Sequence, residues 1–254
     1  MPSDFYSRRA DDYSANYNLN GSAELWVPES KNLHSISGIN EFFSMISPII
    51  RNGSVRTAFD VGIGPAAREV FRYLHYGWDT CGCDVSEDVV QRARRELGLN
   101  HGESTYHIFS ADLRKSKDFD AIKGRHFDLI SCLNVIQHLE GESGISYLID
   151  FLNEYTSKDG YVLILFKRSD YDSQEAQERG LIIKRSTGVN DLVTYYDATF
   201  KEFRNYSIFD TDFLVAELEK IGFKEINELQ HYSIYRFYNT RNFPCTFLVM
   251  KRGK

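Results

Sequence analysis

Apolar residues recur along the chain with two different spacings, and the two alternate. Short apolar runs at 55–61, 127–133 and 161–166 are typical of strands that are buried on both faces of a parallel sheet. Apolar residues spaced three or four apart predict helices at 144–155 and 212–222. This alternation of strands and helices predicts an α/β fold with a mostly parallel sheet.

Three parts of the chain depart from this alternation. Two strand-like stretches near 229–237 and 246–251 flank a turn at 239–244, which predicts a C-terminal antiparallel hairpin. Residues 1–50 precede the first strand and are expected to form an N-terminal helical cap, over either a cofactor or one face of the sheet. Residues 167–208 show no clear period but hold several aromatic residues. They are expected to form an irregular insertion that caps a substrate, with a surface excursion as the alternative.

Composition fits a single globular domain spanning residues 1–254. A net charge of −6 argues against a nucleic-acid partner and favours a cationic substrate. The four cysteines show no zinc-ligand spacing, so we expect small buried hydrophobes in a reducing compartment and no metal site. No run approaches the ~20 apolar residues of a membrane span. The first residues lack the apolar core of a signal peptide, so a cytoplasmic location is expected, with the nucleus as the alternative.

A glycine-rich corner follows the first apolar run. Gly62 and Gly64 stand where the backbone must turn sharply and let a ligand approach closely. Pro65 is placed to open the next helix. Asp84 ends the following strand-like stretch about 20 residues beyond Gly64, the spacing at which an acid accepts hydrogen bonds from ribose hydroxyls in a nucleotide fingerprint. An ordinary strand–turn–helix corner is the alternative, but the acid at this spacing favours a ribose.

The residues around this corner indicate which nucleotide to expect. A dinucleotide site has a third glycine at the start of the helix, and Ala66 and Ala67 occupy that region. Asp60 precedes the first glycine, and an acid there suits a positively charged ligand better than a pyrophosphate. The D-x-G-x-G sequence from Asp60 to Gly64 resembles motif I of the class I S-adenosylmethionine (AdoMet) methyltransferases. The resemblance implies a Rossmann-like, seven-stranded sheet, mostly parallel with a C-terminal antiparallel hairpin, and helices on both faces.

Two later stretches also resemble motifs of this superfamily. Asp112 follows an alternating strand at 105–109, and the resemblance implies that it accepts a hydrogen bond from the adenine amino group; the alternative is an aspartate that caps a turn. Asn134 and His138 follow the apolar run at 127–133 and resemble motif IV. A histidine there contacts the reacting group or, alternatively, bonds a backbone carbonyl in a purely structural role.

The resemblance implies a set of cofactor-binding residues and a smaller catalytic set. The expected cofactor-binding residues are Asp60, Gly62, Gly64, Arg68, Asp84, Val85, Asp112, Leu113 and Asn134. The candidate catalytic residues are His138, Asn134 and Asp197. His138 is the first candidate for a base or orienting group because the unperturbed pKa of histidine lies near neutrality. Asp197, together with Tyr195 or Tyr196, is a weaker candidate from the aromatic-rich insertion.

A closer resemblance is to the protein N-terminal α-amine methyltransferases, which act on Xaa-Pro-Lys termini. It rests on an F-Y-S opening pattern at Phe5–Ser7, on the segments His34–Asn40 and Asp84–Asp88, and on the motif IV pairs Val135–Ile136 and His138–Leu139. The substrate half differs from the pattern of that family.

The differences lie in four places. The glycine-rich run before the first helix is missing. Asn134 stands where the family has a tryptophan, and Lys167 and Arg168 replace an acidic, asparagine-containing end of the fifth strand. Arg204 stands at or near an aspartate that helps to bind and deprotonate the amine. These differences leave AdoMet binding intact and bear on the substrate.

We therefore expect an AdoMet-dependent methyltransferase that N-methylates a protein or peptide N-terminal α-amine. A small-molecule N- or O-methyltransferase is the alternative, because the substrate half differs. A non-catalytic AdoMet-binding subunit, active only with a partner, is an alternative of another class. A nicotinamide dehydrogenase would need a third glycine, and Ala66 argues against it.

Overall fold

The computed structural model describes residues 55–98, 106–139, 141–167, 182–186, 190–197, 202–226, 234–238 and 244–253. The expected N-terminal helical cap at 1–50 lies outside the described residues. Within the described ranges, no helix is both long enough and apolar enough to cross a membrane.

Strands make up two sheets in the described part of the chain. In chain order the strands are β1 (Thr57–Val61), β2 (Asp79–Asp84), β3 (Tyr106–Ser110), β4 (Phe127–Leu133), β5 (Thr156–Lys167), β6 (Ile182–Ser186), β7 (Asn190–Asp197), β8 (Glu202–Phe209), β9 (Phe223–Glu225), β10 (Ile234–Tyr238) and β11 (Pro244–Arg252). The main sheet has the order β10-β11-β5-β4-β1-β2-β3, and the short β9 also pairs with β11. β1 to β5 are parallel, whereas β11 runs antiparallel to both β5 and β10. The seven-stranded, mostly parallel sheet and its C-terminal hairpin are therefore confirmed.

Helices pack on both faces of this sheet. They are α1 (Arg68–His75), α2 (Glu87–Gly98), α3 (Gly141–Tyr155) and α4 (Thr211–Lys220), with 3-10 turns at Ser116–Ile122 and Ile136–His138. Alternate residues of the central strands share their core clusters with α3 and α4 on one face and with α1 on the other. This arrangement confirms the predicted layers, and it follows from strands whose residues are buried on both sides.

The strand order reverses between β1 and β4. The chain passes from β1 outward through β2 and β3 and then returns to the other side of β1. In open α/β sheets, ligands bind in the crevice at the carboxyl ends of the strands beside such a reversal. The described fold therefore places the ends of β1, β2 and β4 around one crevice.

Some predicted element boundaries were wrong. α1 begins at Arg68 and not at Pro65, because Ala67 adopts left-handed backbone angles (φ 45°, ψ 39°) that interrupt the helix. α3 begins at Gly141, three residues before its predicted start at Gly144. The predicted capping of α2 is confirmed, since the Ser86 hydroxyl accepts a hydrogen bond from the Val89 N–H at 3.3 Å.

Residues 167–208 were expected to be irregular, and this was wrong. β6, β7 and β8 form a three-stranded antiparallel sheet in the order of the sequence. This small sheet contacts the main fold through β8, which packs on the turn at Ile136–His138 and on β5. β8 then leads into α4, whose first turn is capped by the Asp210 carboxylate accepting from the Phe213 N–H at 2.9 Å.

Candidate active site

The turn after β1 is built for close approach. Gly62 and Gly64 have φ values of 76° and 62°, which lie in the left-handed region that favours glycine. The N–H groups of Gly62 and Ile63 both donate to the Cys83 carbonyl of β2, at 2.7 and 3.0 Å. Among the described residues other than Gly64 and its two chain neighbours, none has an atom within 4 Å of the position that a Cβ on Gly64 would take, so the backbone there faces open space. A ligand can therefore reach the main chain at this turn.

Asp84 stands beside this turn, at the carboxyl end of β2. Its carboxylate accepts hydrogen bonds from the Gly64 N–H at 3.2 Å and from the Ser86 N–H at 3.1 Å. Burial raises the pKa of Asp84 to about 6, although its backbone bonds, including one from Val85, oppose the rise. The sequence-predicted residues Gly64, Asp84 and Val85 are thus brought together around one acceptor carboxylate.

Asp60 lies beneath the turn, near the end of β1. Its side chain is 2% exposed and accepts a hydrogen bond from the Ser131 hydroxyl of β4 at 2.5 Å. Burial, and next the charge of Glu69, raise the pKa of Asp60 well above its usual range, and the charge of Arg68 at the start of α1 acts in the opposite direction. The charge of Arg68 therefore acts on Asp60, and the bond to Ser131 braces β1 against β4.

Asp112 follows β3 on the other side of Asp84. Its carboxylate pairs with the Arg114 guanidinium, with the closest N–O distance 2.6 Å, and accepts from the Arg114 N–H at 3.0 Å. These bonds lower the pKa of Asp112 despite its burial. The bond to the Arg114 N–H is the turn-capping contact of the alternative interpretation. Leu113, between them, packs against the large core cluster.

The carboxyl end of β4 forms the opposite wall of the crevice. Asn134 has a left-handed φ of 60°, and its N–H donates to the Leu165 carbonyl of β5 at 2.9 Å. Val135 follows, and a Cβ placed on Gly62 would lie 2.2 Å from its Cγ2. The chain then makes the 3-10 turn in which the His138 N–H donates to the Val135 carbonyl at 2.9 Å. The ends of β1 and β4 therefore touch.

His138 contacts a residue of the small sheet. Its ring lies edge-to-face with Tyr206 of β8, with centroids 5.0 Å apart and an interplanar angle of 72°. The Lys167 Nζ at the end of β5 lies 4.5 Å from the centroid of the same Tyr206 ring. Tyr206 and Lys167 are 5% and 7% exposed. An imidazole, a phenol and an ammonium group therefore share the space beyond β4 and β5.

Asp197 lies farther along the small sheet. It ends β7 and pairs with Glu202, whereas Tyr206 pairs with Val193, four residues along the strand. At about 3.4 Å per residue, this separation is about 14 Å along the strand. The described backbone therefore does not place Asp197 beside the Tyr206–His138 contact, and its catalytic role stays a prediction.

Cys81, Cys83 and Cys132 contribute no reactive thiol to this site. All four are free and buried, as expected from the sequence. Burial raises the pKa of Cys81 to about 11 and raises the pKa values of Cys83 and Cys132 as well. Thiols held neutral in this way are poor nucleophiles.

Three contacts of the site were not predicted from the sequence. Ser131 is the partner of Asp60, Val135 fills the space beside Gly62, and Tyr206 contacts His138. Ser131 could have been found, because a serine within an apolar strand needs a buried partner. Tyr206 carried no such signal, because its contact with His138 joins residues far apart in the chain.

The residues at the crevice fit AdoMet. Asp84 offers acceptor oxygens suited to vicinal ribose hydroxyls, and the open backbone at Gly64 leaves room for the ligand beside it. Asp112 offers a second carboxylate at the end of the next strand.

Comparisons with known proteins agree with this fit. A family model described as a methyltransferase domain matches residues 59–162, which include Gly62, Asp84, Asp112 and His138. No curated protein matches the chain.

Solved structures share the fold at low sequence identity. The magnesium protoporphyrin IX methyltransferase from Synechocystis PCC 6803, with bound SAH, matches with a TM-score of 0.64 and 16% identity over 99% of this chain and 98% of that one. The N-methyltransferase NodS from Bradyrhizobium japonicum WM9, in complex with S-adenosyl-L-homocysteine, matches with a TM-score of 0.56 and 12% identity over 96% of this chain and 99% of that one. The PH0226 protein from Pyrococcus horikoshii OT3 matches with a TM-score of 0.59 and 15% identity over 89% of this chain and 93% of that one. This likeness confirms the Rossmann-like methyltransferase fold.

Proposed function

We propose that this protein, an AdoMet-dependent methyltransferase by its domain and fold, methylates the α-amine at the N-terminus of a protein or peptide. The methyltransferase assignment is carried by the corner of Gly62, Gly64 and Asp84, where a glycine turn that is open at Gly64 meets a partly buried acceptor carboxylate. AdoMet bound there supplies an electrophilic methyl group on its sulfonium sulfur. The other requirements of the reaction fall to residues of this chain.

The cofactor-side residues divide into those that bind and those that support. Asp84 accepts from the ribose hydroxyls, and Asp112 from the adenine amino group. Gly62 and Gly64 let the main chain approach the ligand. Asp60 supports the turn from below, because its bond to Ser131 ties β1 to β4. We assign the remaining predicted residues to the cofactor side as well: Arg68, Val85, Leu113 and Asn134.

The acceptor side must hold an uncharged amine in line with the methyl group and accept a proton after transfer. Most of the rate comes from this alignment. His138 is the candidate base or orienting group, because it stands at the end of β4 and its ring is held against Tyr206. Asn134 is placed one turn earlier at the same end of β4 and is the candidate for a hydrogen bond to the amine. Asp197 is a weaker candidate base.

A small-molecule amine or hydroxyl is the second candidate acceptor, and Lys167 favours it. A buried ammonium lies at the end of β5, 4.5 Å from the ring that contacts His138. A positive charge there disfavours an acceptor peptide that brings a lysine of its own. The magnesium protoporphyrin IX methyltransferase among the structural neighbours acts on a small molecule according to its name.

The proposal is tested by following radiolabelled methyl transfer from AdoMet to a Ser-Pro-Lys peptide and to the same peptide with an acetylated N-terminus. Label in the free peptide alone supports the α-amine as acceptor. Label in neither peptide, with AdoMet bound, contradicts the peptide proposal, and a panel of small amines and phenols then tests the second candidate. AdoMet binding without any transfer, followed by transfer when a partner protein is added, would support the non-catalytic subunit.

Calorimetric titration with AdoMet, S-adenosylhomocysteine and NAD checks the cofactor separately. We expect the first two to bind and NAD not to bind. Asp84→Ala should lower the affinity for AdoMet about tenfold or more, because the loss of a charged hydrogen-bond acceptor costs about 1.5–3 kcal/mol of binding free energy. Unchanged affinity in this variant would mean that the ribose lies elsewhere.

A further inference from the structure

An aromatic residue lies beside the candidate base, where the small sheet packs on the main fold. Tyr206 is a residue of β8 and is 5% exposed. Its ring contacts the His138 imidazole, with ring centroids 5.0 Å apart, and the Lys167 ammonium lies 4.5 Å from its centroid. These three residues come from three elements: β8, the turn after β4, and the end of β5.

We propose that Tyr206 is a positioning residue of the methyl-transfer site, which fixes the His138 ring and couples the small sheet to the acceptor side of the crevice. The proposal rests on the proposed function, since it takes His138 as the group that faces the acceptor. Both of these contacts are made with the aromatic ring of Tyr206.

The geometry gives Tyr206 this role and not only a packing role. An imidazole at the end of a short 3-10 turn keeps two rotatable side-chain bonds, and the backbone bond from His138 to Val135 fixes neither of them. An edge-to-face contact with an aromatic ring restricts the plane of the imidazole ring. The Lys167 cation is attracted to the face of the same ring, so the Tyr206 ring is itself held in place. The orientation of His138 therefore depends on a residue of the small sheet.

This coupling has a consequence for catalysis. A displacement of about 1 Å in a group that aligns the reacting atoms can cost about a hundredfold in rate. The AdoMet side is built from β1, β2 and β3, which do not carry Tyr206. Loss of the Tyr206 ring should therefore lower kcat and leave the affinity for AdoMet unchanged.

The experiment compares Tyr206→Phe, Tyr206→Leu and Tyr161→Leu with the wild type. Tyr161 is the matched control because it is also 5% exposed and has a lysine ammonium, that of Lys251, 5.3 Å from its ring centroid. It packs in the core cluster shared with α1, on the face of the sheet opposite α3 and α4. Each variant is measured for thermal unfolding, AdoMet affinity by calorimetry, and methyl transfer to the Ser-Pro-Lys peptide or to the small amine or phenol that accepts label.

We expect Tyr206→Phe to keep kcat within about threefold, because the ring remains, and Tyr206→Leu to lose about tenfold to a hundredfold in kcat with an unchanged KM for AdoMet. Tyr161→Leu should lower the unfolding temperature with kcat within about twofold of the wild type. Tyr206→Leu that loses no more kcat than Tyr161→Leu, while still folded, would overturn the proposal. So would Tyr206→Phe that is as impaired as Tyr206→Leu, because the hydroxyl would then be the active group.

A spectroscopic measurement needs no acceptor and separates this proposal from the proposed function. The ring-proton resonances of His138, assigned by comparison with His138→Gln, are recorded by NMR for the same variants. We expect the ring-current shift from Tyr206 to persist in Tyr206→Phe and to vanish in Tyr206→Leu. A His138 resonance that keeps its wild-type position in Tyr206→Leu refutes positioning by Tyr206. Absent methyl transfer by the wild type, with the expected shifts present, refutes the proposed function alone.

Discussion

Val135 and Gly62 fit together so closely that a Cβ on Gly62 would lie 2.2 Å from the Val135 Cγ2. Gly62 belongs to the turn after β1, and Val135 to the turn after β4, so this contact joins the cofactor side of the crevice to the acceptor side. Both turns also need unusual backbone angles, since Gly62 has a φ of 76° and Asn134 a φ of 60°. The shape of the site therefore depends on one position without a side chain.

Gly62→Ala should damage both stability and AdoMet binding. The new Cβ meets Val135 at a distance that side chains do not tolerate, and left-handed backbone angles cost a residue with a Cβ about 1–2 kcal/mol. We expect a lower unfolding temperature and at least about a tenfold loss of AdoMet affinity, an amount equal to about 1.4 kcal/mol. Thermal unfolding and calorimetric titration measure the two effects.

Gly124→Ala is the matched control for this substitution. Gly124 has nearly the same φ, 77°, and a Cβ there would meet no atom of the described residues within 4 Å, so the variant carries the backbone strain without the clash. It should lose some stability and no AdoMet affinity. If Gly62→Ala binds AdoMet as well as Gly124→Ala does, the turn after β1 does not contact the cofactor.

Asp84→Asn should remove a pH dependence of AdoMet affinity. Burial raises the pKa of Asp84 to about 6, so the wild-type carboxylate loses its charge, and with it part of its strength as an acceptor, as the pH falls from 7 to 5. We expect the wild-type affinity to fall over this range and the affinity of Asp84→Asn to be weaker but nearly constant. Calorimetric titrations at pH 7, 6 and 5 measure this.

Asp112→Asn is the contrast for Asp84→Asn, because the pKa of Asp112 is lowered whereas that of Asp84 is raised. The hydrogen bonds from Arg114 lower the pKa of Asp112, so its carboxylate stays charged from pH 7 to 5. Asp112→Asn should bind AdoMet more weakly than the wild type. Its affinity should still fall below pH 6, as that of the wild type does. Loss of the pH dependence in Asp112→Asn, or its persistence in Asp84→Asn, would show that the two carboxylates have been assigned the wrong roles.

The same raised pKa has an effect on folding with a definite sign. The folded-state pKa of Asp84, about 6, exceeds the ordinary value of 3.8, so the folded chain binds this proton more tightly than the unfolded chain does. Above pH 6 Asp84 is ionised in the folded chain, and the free energy of unfolding is at its lower value. As the pH falls from 6 toward 4, Asp84 is protonated in the folded chain and the free energy of unfolding rises. Without AdoMet, the wild type should gain stability relative to Asp84→Asn between pH 7 and 5, as measured by urea unfolding. A constant difference would contradict the raised pKa.

The sequence predicts the parts of the site that are local in the chain. The glycine turn, Asp84 at the end of β2 and the capped start of α2 each depend on residues within about 20 positions, and patterns of that length are visible in the sequence. The hydrophobic runs also predict the strands of the main sheet, because buried parallel strands are continuously apolar. The parallel order follows from the alternation of strands and helices.

The small sheet was not predicted, for a physical reason. Residues 206–209 at the end of β8 are all buried, so the two-residue alternation that marks a half-exposed strand is absent there. The start of α1 was placed too early, because nothing in the sequence shows that Ala67 takes left-handed angles. Contacts such as Asp60–Ser131 and His138–Tyr206 join distant parts of the chain, and a single sequence carries no record of such pairs.

Ser131→Ala should destabilise the fold more than an ordinary loss of a hydroxyl. Ser131 is fully buried, and its hydroxyl donates to the Asp60 carboxylate at 2.5 Å, so the variant leaves a buried carboxyl group without this donor. The expected cost is about 1–3 kcal/mol. Thr246→Val is the contrast, because Thr246 is equally buried and its hydroxyl has no hydrogen-bond partner in the described part of the chain. Equal losses of stability in urea unfolding would deny the importance of the Asp60–Ser131 bond.

His138→Gln should separate chemistry from cofactor binding. Glutamine keeps a polar side chain of similar reach but cannot accept a proton near neutral pH, and general base catalysis typically contributes about a hundredfold to ten-thousandfold. His138 lies at the end of β4, whereas the proposed ribose and adenine contacts come from β2 and β3. We therefore expect kcat for methyl transfer to fall about a hundredfold, with AdoMet affinity by calorimetry within about twofold of the wild type. An unchanged kcat would assign His138 to the structural alternative and leave alignment of the acceptor, without a base, as the source of the rate.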